Sequence, residues 1–481
     1  MTDRQLSKAK PVGDELSALS LPVPLLDLTD SSPSQSSLAA PLLSLALPVL
    51  FEQILHMLVG LNDTYLANHL PDHAADAGAA VGTITYFLWF IGLLVASIAT
   101  GSTALIARAK GSQHRSLANK VIGQSVAAAL LAGFAVGGLM LLAARPIVAA
   151  TQAQGLAKLF ALSYLRMLSW SLPFTMLMLI AGACLRGGGD TLTPAIIMVM
   201  VDVVNMLSSF ALTRGWWGLP ALGFDGIALG TIIAYLLGGV TQFIVLLAGT
   251  RGGRLHLHRM RPHWHTIKRL LRIGIPGGVE MMLSWFASFA VIAVINRMDA
   301  TNASSSAHIN TVRLENISFL FGIAFATAAA TMVGTSLGQK NPHRAQRAAF
   351  LAYAMGGGAM IFCGILMITL GRYPARWLSP DDPHIIDLTT RCLFITGFIQ
   401  AGFAANLIFG GALRGAGDTL VVMGLNLSTV LGIRFTGVMI VGLWLKMGLP
   451  AIWMVLATEL FLRGSLTTLR FLQGGWKKIE V

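Results

Sequence analysis

Twelve apolar stretches dominate the chain, at about 41–66, 79–104, 119–143, 159–184, 194–213, 222–247, 269–295, 306–334, 346–370, 387–412, 420–442 and 449–471. Each is near the roughly 20 residues a helix needs to cross the hydrocarbon of a bilayer. So many of them leave little freedom of fold, because in lipid each backbone amide must be satisfied internally, and a helix does that within one segment. Hydrophobic residues make up 55% of the 481 and charged residues 11%, against about 25% charged in globular domains. An all-α polytopic membrane protein with twelve transmembrane helices is expected. Cys184, Cys363 and Cys392 lie in or beside apolar runs, which gives neither a disulfide framework nor a zinc spacing.

The net charge is +13. Its placement points to membrane orientation rather than to nucleic acid, since Lys and Arg collect in the loops of one face. That face takes 23 of them, including Arg108, Lys110, Arg115 and Lys120 after span 2, and Arg251, Arg254, Arg259, Arg261, Lys268, Arg269 and Arg272 after span 6; the opposite face takes 9. Both termini are therefore expected in the cytoplasm, with the chain in the inner (plasma) membrane. Residues 1–40 read as a cytoplasmic tail, and Leu21–Leu28 is too short and too broken by Pro and Asp27 for a signal peptide. His256, His258, His263 and His265 fall among the arginines of the 6–7 loop, where a solvated loop is expected rather than a metal site.

One motif occurs twice. Leu185-Arg186-Gly187-Gly188-Gly189-Asp190-Thr191-Leu192 returns 228 residues later as Leu413-Arg414-Gly415-Ala416-Gly417-Asp418-Thr419-Leu420. The glycines permit a tight turn, Asp-Thr suits the start of the next helix, and Pro194 follows just inside it. Arg186 and Asp190, like Arg414 and Asp418, are spaced to pair within each turn. Pro48 and Glu52 recur at the same offset as Pro276 and Glu280. Each half holds six spans, an even number, so both halves enter from the same face and relate by an axis along the membrane normal. The expected organisation is a tail over 1–40, an N-terminal lobe over 41–250, a basic loop over 251–268, a C-terminal lobe over 269–472 and a tail over 473–481. Substrate would bind between the lobes near the midplane.

Acids inside apolar runs mark the chemistry, because a charge at a helix centre costs roughly 2.5–3.5 kcal/mol on insertion scales. Glu52, Asp63, Asp202, Glu280 and Glu315 qualify. Glu52, His56 and Asp63 fall within about 40° on one helix face, and Asp202, Asn205 and Ser209 share another. A carboxylate beside amides and hydroxyls suits a proton or a hard cation such as Na⁺. Glu52 and Glu280 also fit a shared fold-holding bond. Glu315 stands at the base of a small-residue stripe, Gly322, Ala326, Ala330, Gly334 and Gly338, which suits helix packing.

The paired Leu-Arg-Gly-x-Gly-Asp-Thr turns and Pro48…Glu52-Gln53…Asn62-Asp63-Thr64 resemble the multidrug and toxic compound extrusion (MATE) family of the MOP flippase superfamily. So do Asn205, Gly223…Gly226…Gly230-Thr231, Gly274-Ile275-Pro276 and Val333-Gly334…Leu337-Gly338-Gln339-Lys340-Asn341. The match runs over about 41–475. The resemblance implies export of cationic or amphipathic organic compounds in exchange for H⁺ or Na⁺, with no cofactor beyond the coupling ion, no enzymatic reaction, and a monomer in the bilayer. Asp63 matches the family's span 1 carboxylate, and Asn205 and Thr231 its polar companions. Where the bacterial and archaeal branch usually has Asp, this chain has Ser209, with Asp202 one turn before Asn205 as a stand-in. Where other branches place a Glu in span 7, it has Ser284, with Glu280 one turn earlier. The acid of span 10 has no counterpart, so coupling is expected in the N-terminal lobe.

A flippase or exporter of a lipid-linked saccharide is the main alternative, and it would want a basic cavity; Arg166 and Arg434 are the arginines placed mid-span. The chain has no Walker A, His-Glu-x-x-His or Gly-x-Ser-x-Gly motif.

Overall fold

The computed structural model describes residues 35–71, 73–150, 154–250, 252–298 and 302–479. Residues 1–34 of the expected tail and Arg251 lie outside them. Twelve long helices are described: α1 Gln35–Asn68, α2 Ala74–Gly111, α3 Arg115–Ala150, α4 Gly155–Gly187, α5 Leu192–Arg214, α6 Phe224–Ala248, α7 Trp264–Met298, α8 Ala303–Gly338, α9 Pro342–Leu370, α11 Pro383–Ala416, α12 Thr419–Trp444 and α13 Leu449–Gln473. Eleven of them are long and apolar enough to cross a membrane by length and composition. A short helix, α10 Arg372–Leu378, lies between α9 and α11. It exposes Tyr373 and Trp377, as suits an interfacial segment. Among the described residues there is no strand, only one isolated bridge between Thr250 and Gly253.

The two halves are built alike. In the first, α4 is the central helix, packed on α2, α3 and α6; in the second, α11 packs on α8, α9 and α13. These are equivalent helices under the sequence repeat. The glycine turns after α4 and α11 also match. Gly189 (φ +78) and Gly417 (φ +88) adopt the left-handed conformation that ends each helix. Asp190 N–H donates to Leu185 O and Asp418 N–H to Leu413 O, each at 2.9 Å, which satisfies otherwise orphaned terminal carbonyls. Pro48 cannot donate to the carbonyl of Ser44, and the Thr191 hydroxyl donates to that carbonyl instead at 3.2 Å.

The expected pairing of charges within each turn is not what forms. Arg186 donates to Glu52 Oε1 at 2.5 Å and Arg414 to Glu280 Oε1 at 3.0 Å. Asp190 instead accepts from the backbone and hydroxyl of Thr193, and Asp418 from Arg470 at 2.8 Å. The turn aims its arginine back along the helix it ends, toward the proline-bearing helix of the same lobe. Asp190 points forward over the helix it starts, where free N–H groups draw a carboxylate, whereas Asp418 is held by the Arg470 guanidinium of α13.

The lobes meet along α1, α2, α7 and α8. A side chain at Gly111 or Gly338 would strike the backbone of Thr335 or Arg108 across the interface, and one at Gly101 or Gly274 that of Leu270 or Ser97. The small-residue stripe of α8 serves two packings: Gly334 and Gly338 lie on Ala107 and Arg108 of α2 across the interface, whereas Ala326 and Ala330 lie on Gly411 and Gly415 of α11 within the second lobe. The start of α1 and the segment after α13 reinforce the interface. Leu38, Leu42 and Ala46 of α1 bury into the second-lobe core beside Phe325 and Val333, as do Phe471 and Trp476. Ile479 O accepts from Arg108 of α2.

Candidate functional site

Asp63 lies near the far end of α1 and is 5% exposed. Tyr164 of α4 donates its hydroxyl to Oδ2 at 2.9 Å. Thr231 of α6 donates to Oδ1 and Oδ2 at 3.1 and 2.9 Å. Asn205 of α5 donates to Thr231 at 2.9 Å, and Asn62 to the Asn205 carbonyl at 2.9 Å. The donors thus form a chain from Asn62 through Asn205 and Thr231 to the carboxylate. Ser209 closes the back, 3.5 Å from the Asn205 amide. Gly230 is required there, because any side chain on it would meet Ser209. Four helices of one lobe therefore converge on a single carboxylate, and every donor to it is neutral.

The other candidates are distributed differently. Glu52 shares a face with Asp63, but eleven residues along a helix is about 16 Å, and it serves Arg186. His56 Nε2 stands 4.0 Å from Glu52, and both border a small recess with Met178, Pro194 and Gln242. Asp202 contributes no hydrogen bond to the Asp63 network, and its Oδ2 is buried without a partner. Glu280 is held by Arg414, and Ser284 donates to the Glu280 backbone. Glu315 Oε1 is also buried without a partner.

Sequence reasoning passed over Tyr164 and a buried charge cluster in the second lobe. Tyr164 left one usable sign: a tyrosine deep in an apolar run needs a partner for its hydroxyl. Glu459 of α13, fully buried, should have joined the five acids singled out inside apolar runs. It accepts from Arg434 at 2.7 Å and lies 3.2 Å from Arg463 Nε. Arg434 sits in a π-helical turn, Val430–Phe435, a local irregularity often found at functional positions. Its partner was hidden because Glu459 stands beside Thr458 and Leu460 in a run that reads as plain membrane helix.

Among the described residues no group of three or more His, Cys, Asp or Glu is placed to hold a metal. The oxygens of Asp63, Asn205, Ser209 and Thr231 are of the hard type that Na⁺ prefers.

A family model, MatE, matches residues 48–211 and again 276–439, the two halves of the chain. The chain belongs to the MatE family. This MatE-family chain is similar to a probable multidrug resistance protein NorM from Thermotoga maritima, 27% identical over 443 residues that cover 92% of this chain and 93% of the relative. It is also similar to the multidrug resistance protein NorM of Aliivibrio fischeri, 26% identical over 383 residues, 78% and 81% of the two chains. Among solved structures, an outward-facing multidrug resistance MATE family transporter of the MOP superfamily superposes with a TM-score of 0.84 at 18% identity, covering 94% of this chain and all of that one. A MOP superfamily transporter from Pyrococcus furiosus gives 0.83 at 18%, with the same coverage. The protein is thus a multi-pass membrane transporter of a multidrug efflux family, with the two-lobed helical fold of that family.

Proposed function

We propose that the protein is a secondary active antiporter that exports cationic or amphipathic organic compounds in exchange for H⁺ or Na⁺, with Asp63 as the coupling carboxylate. The observation behind this is the chemistry around Asp63. Its partners are Tyr164, Thr231 and, through Thr231, Asn205, all uncharged. A proton or Na⁺ can neutralise this acid without breaking an ion pair. Glu52, Glu280 and Glu459 are pinned by arginines. Removing the Asp63 charge weakens its hold on a cationic substrate by a few kcal/mol in a partly dry cavity, which releases substrate on the outer side. Loss of the ion to the cytoplasm restores the site. Exchange of one H⁺ for one monovalent cation moves no net charge, so the pH gradient alone would drive it.

Both termini and the basic loops lie in the cytoplasm, and the membrane is the plasma (inner) membrane. The tight glycine contacts between α2, α7 and α8 at the basic face fit a gate closed on the cytoplasmic side, which opens as the lobes rock. The protein acts as a monomer and catalyses no covalent reaction.

The test is ethidium efflux from proteoliposomes under an imposed pH gradient and, separately, a Na⁺ gradient. Wild type should follow one gradient, and Asp63→Asn should follow neither. Full gradient-driven efflux by Asp63→Asn would overturn the coupling assignment. Indifference of the folded wild type to both gradients would favour a lipid-linked substrate, to be tested with a labelled polyprenyl-pyrophosphate saccharide.

A further inference from the structure

The loop between α6 and α7 is fixed to the first turns of α3 by side chains that have no part in the site above. Gln124 of α3, 2% exposed, donates to the backbone carbonyls of Arg259 at 2.6 Å and Arg261 at 2.7 Å, and accepts from His263 N–H at 3.0 Å. Asn119 accepts from Arg254 N–H at 3.0 Å, and Arg259 donates to Ser116 O at 2.6 Å. Gly123 has no side chain, which lets the Arg259 backbone lie directly on α3. A buried amide spending three hydrogen bonds on one loop holds that loop in a single conformation.

Between the loop and α3 is a cavity of about 370 Å³, lined among others by Ser116, Lys120, Gln124, His258, Arg261 and His263. Arg259 borders it as well. The charge is one-sided. There is no Asp or Glu between Asp225 and Glu280, nor between Asp76 and Asp190, so neither α3 nor the loop offers a counter-ion. The same positive field is felt next door: His256 is held below the ordinary imidazole range by partial burial and then by Arg259, His258 and Arg254. Leu257 and Trp264, next in the chain to the lining residues His258 and His263, are large apolar side chains at 59% and 73% exposure. Exposed leucine and tryptophan beside a basic pocket, where two helices enter an apolar run, suit the interface of a bilayer.

We propose that this pocket binds the phosphate headgroup of an anionic phospholipid, with Lys120 and Arg261 on the phosphate and Leu257 and Trp264 in the adjoining interface. Basic pockets between membrane helices recognise such headgroups through charge and hydrogen bonds together. Its placement gives the lipid a consequence. The pocket is formed by α3 of the first lobe and by the linker that leads into α7 of the second, so a bound lipid fastens the linker to α3. Lipid composition would thereby act on the movement of one lobe against the other.

The test uses the full-length purified protein in detergent, titrated with dihexanoylphosphatidylglycerol, with the phosphatidylcholine of the same chain length, and with inorganic phosphate. Melting temperature and lipid retention by native mass spectrometry are the readouts. Phosphatidylglycerol should raise the melting temperature by several degrees more than phosphatidylcholine, and Lys120→Gln/Arg261→Gln should abolish that difference. Lys268→Gln/Arg272→Gln removes the same charge from α7 outside the pocket and should keep it. Should the double variant fail to fold, Arg261→Gln alone, at an exposed side chain, takes its place and should weaken the difference. Equal effects of the two lipids, a full phosphatidylglycerol shift in the pocket variant, or the whole shift from inorganic phosphate would each overturn the proposal.

Discussion

The two lobes share a plan and differ in how they treat buried charge. In the first lobe Asp63, Tyr164, Asn205 and Thr231 form a neutral cage around one acid. Their repeat equivalents in the second lobe are Val291, Cys392, Ile433 and Leu456. The shift between α6 and α13 is 225 residues rather than 228, fixed by Gly239 lying on the Phe174 backbone and Gly464 on that of Gly402. Conversely, Glu459, Arg463 and Arg434 of the second lobe answer to Ala234, Gly238 and Met206 of the first. Each lobe has thus placed a polar cluster where the other has none. The chemistry of the partners separates their roles. An acid among hydroxyls and amides can gain and lose its charge, whereas an acid between two arginines must stay charged for the pair to hold.

The largest expected difference is between the two acids themselves. Asp63→Asn should abolish gradient-driven efflux while leaving the melting temperature close to wild type, whereas Glu459→Gln should unfold the protein more readily by about 3–5 kcal/mol, since Arg434 and Arg463 are left buried and unpaired. Thermal melts alongside transport assays would show it, and the reverse pattern would break the comparison. Next come the two repeat-related pairs, read in the same melts. Arg186→Ala should destabilise by about 3 kcal/mol. Arg414→Ala should cost less, because the Arg414–Glu280 pair is more exposed, at 23% and 13% of its side-chain surfaces against 15% and 6% for Arg186–Glu52. In both lobes removal of the glutamate as well should recover part of the loss. Tyr164→Phe removes one hydrogen bond of about 1 kcal/mol and should shift the ion dependence of efflux by up to about tenfold without abolishing it. Smallest is Asp387→Asn, whose exposed pair with Arg391 should change stability by less than about 1 kcal/mol.

Glu315 and Asp202 sharpen the same contrast. Each has a buried carboxylate oxygen without a partner, and among the described residues neither joins the cage around Asp63 or an ion pair. Substituting either by the neutral amide tests whether an acid outside both clusters takes part in transport.

Much of this was legible in the chain. Membrane helices announce themselves because their solvent requires long apolar runs, and the duplicated turn survives as sequence because its geometry needs Gly189 and Gly417 at positive φ. Asp63 stood out as an acid in such a run, and Asn205 and Thr231 were recognised through the family pattern. Glu459 carries the same sign as Asp63, an acid inside an apolar run, whereas Tyr164 did not stand out, since one aromatic in a hydrophobic helix carries no spacing of its own.

The sequence by itself determined the helical class, the repeat of one half in the other and a short set of candidate acids, because each rests on local chemistry: apolar length, turn glycines, a charge where lipid should be; the preference for Asp63 among those acids rests on the family resemblance. Only the tertiary structure decided who pairs with whom. Arg186 reaches Glu52 across 134 residues rather than Asp190 across four, and Arg434 reaches Glu459 on the neighbouring helix. Such pairings depend on which helix faces are brought together, and packing, not spacing along the chain, sets that.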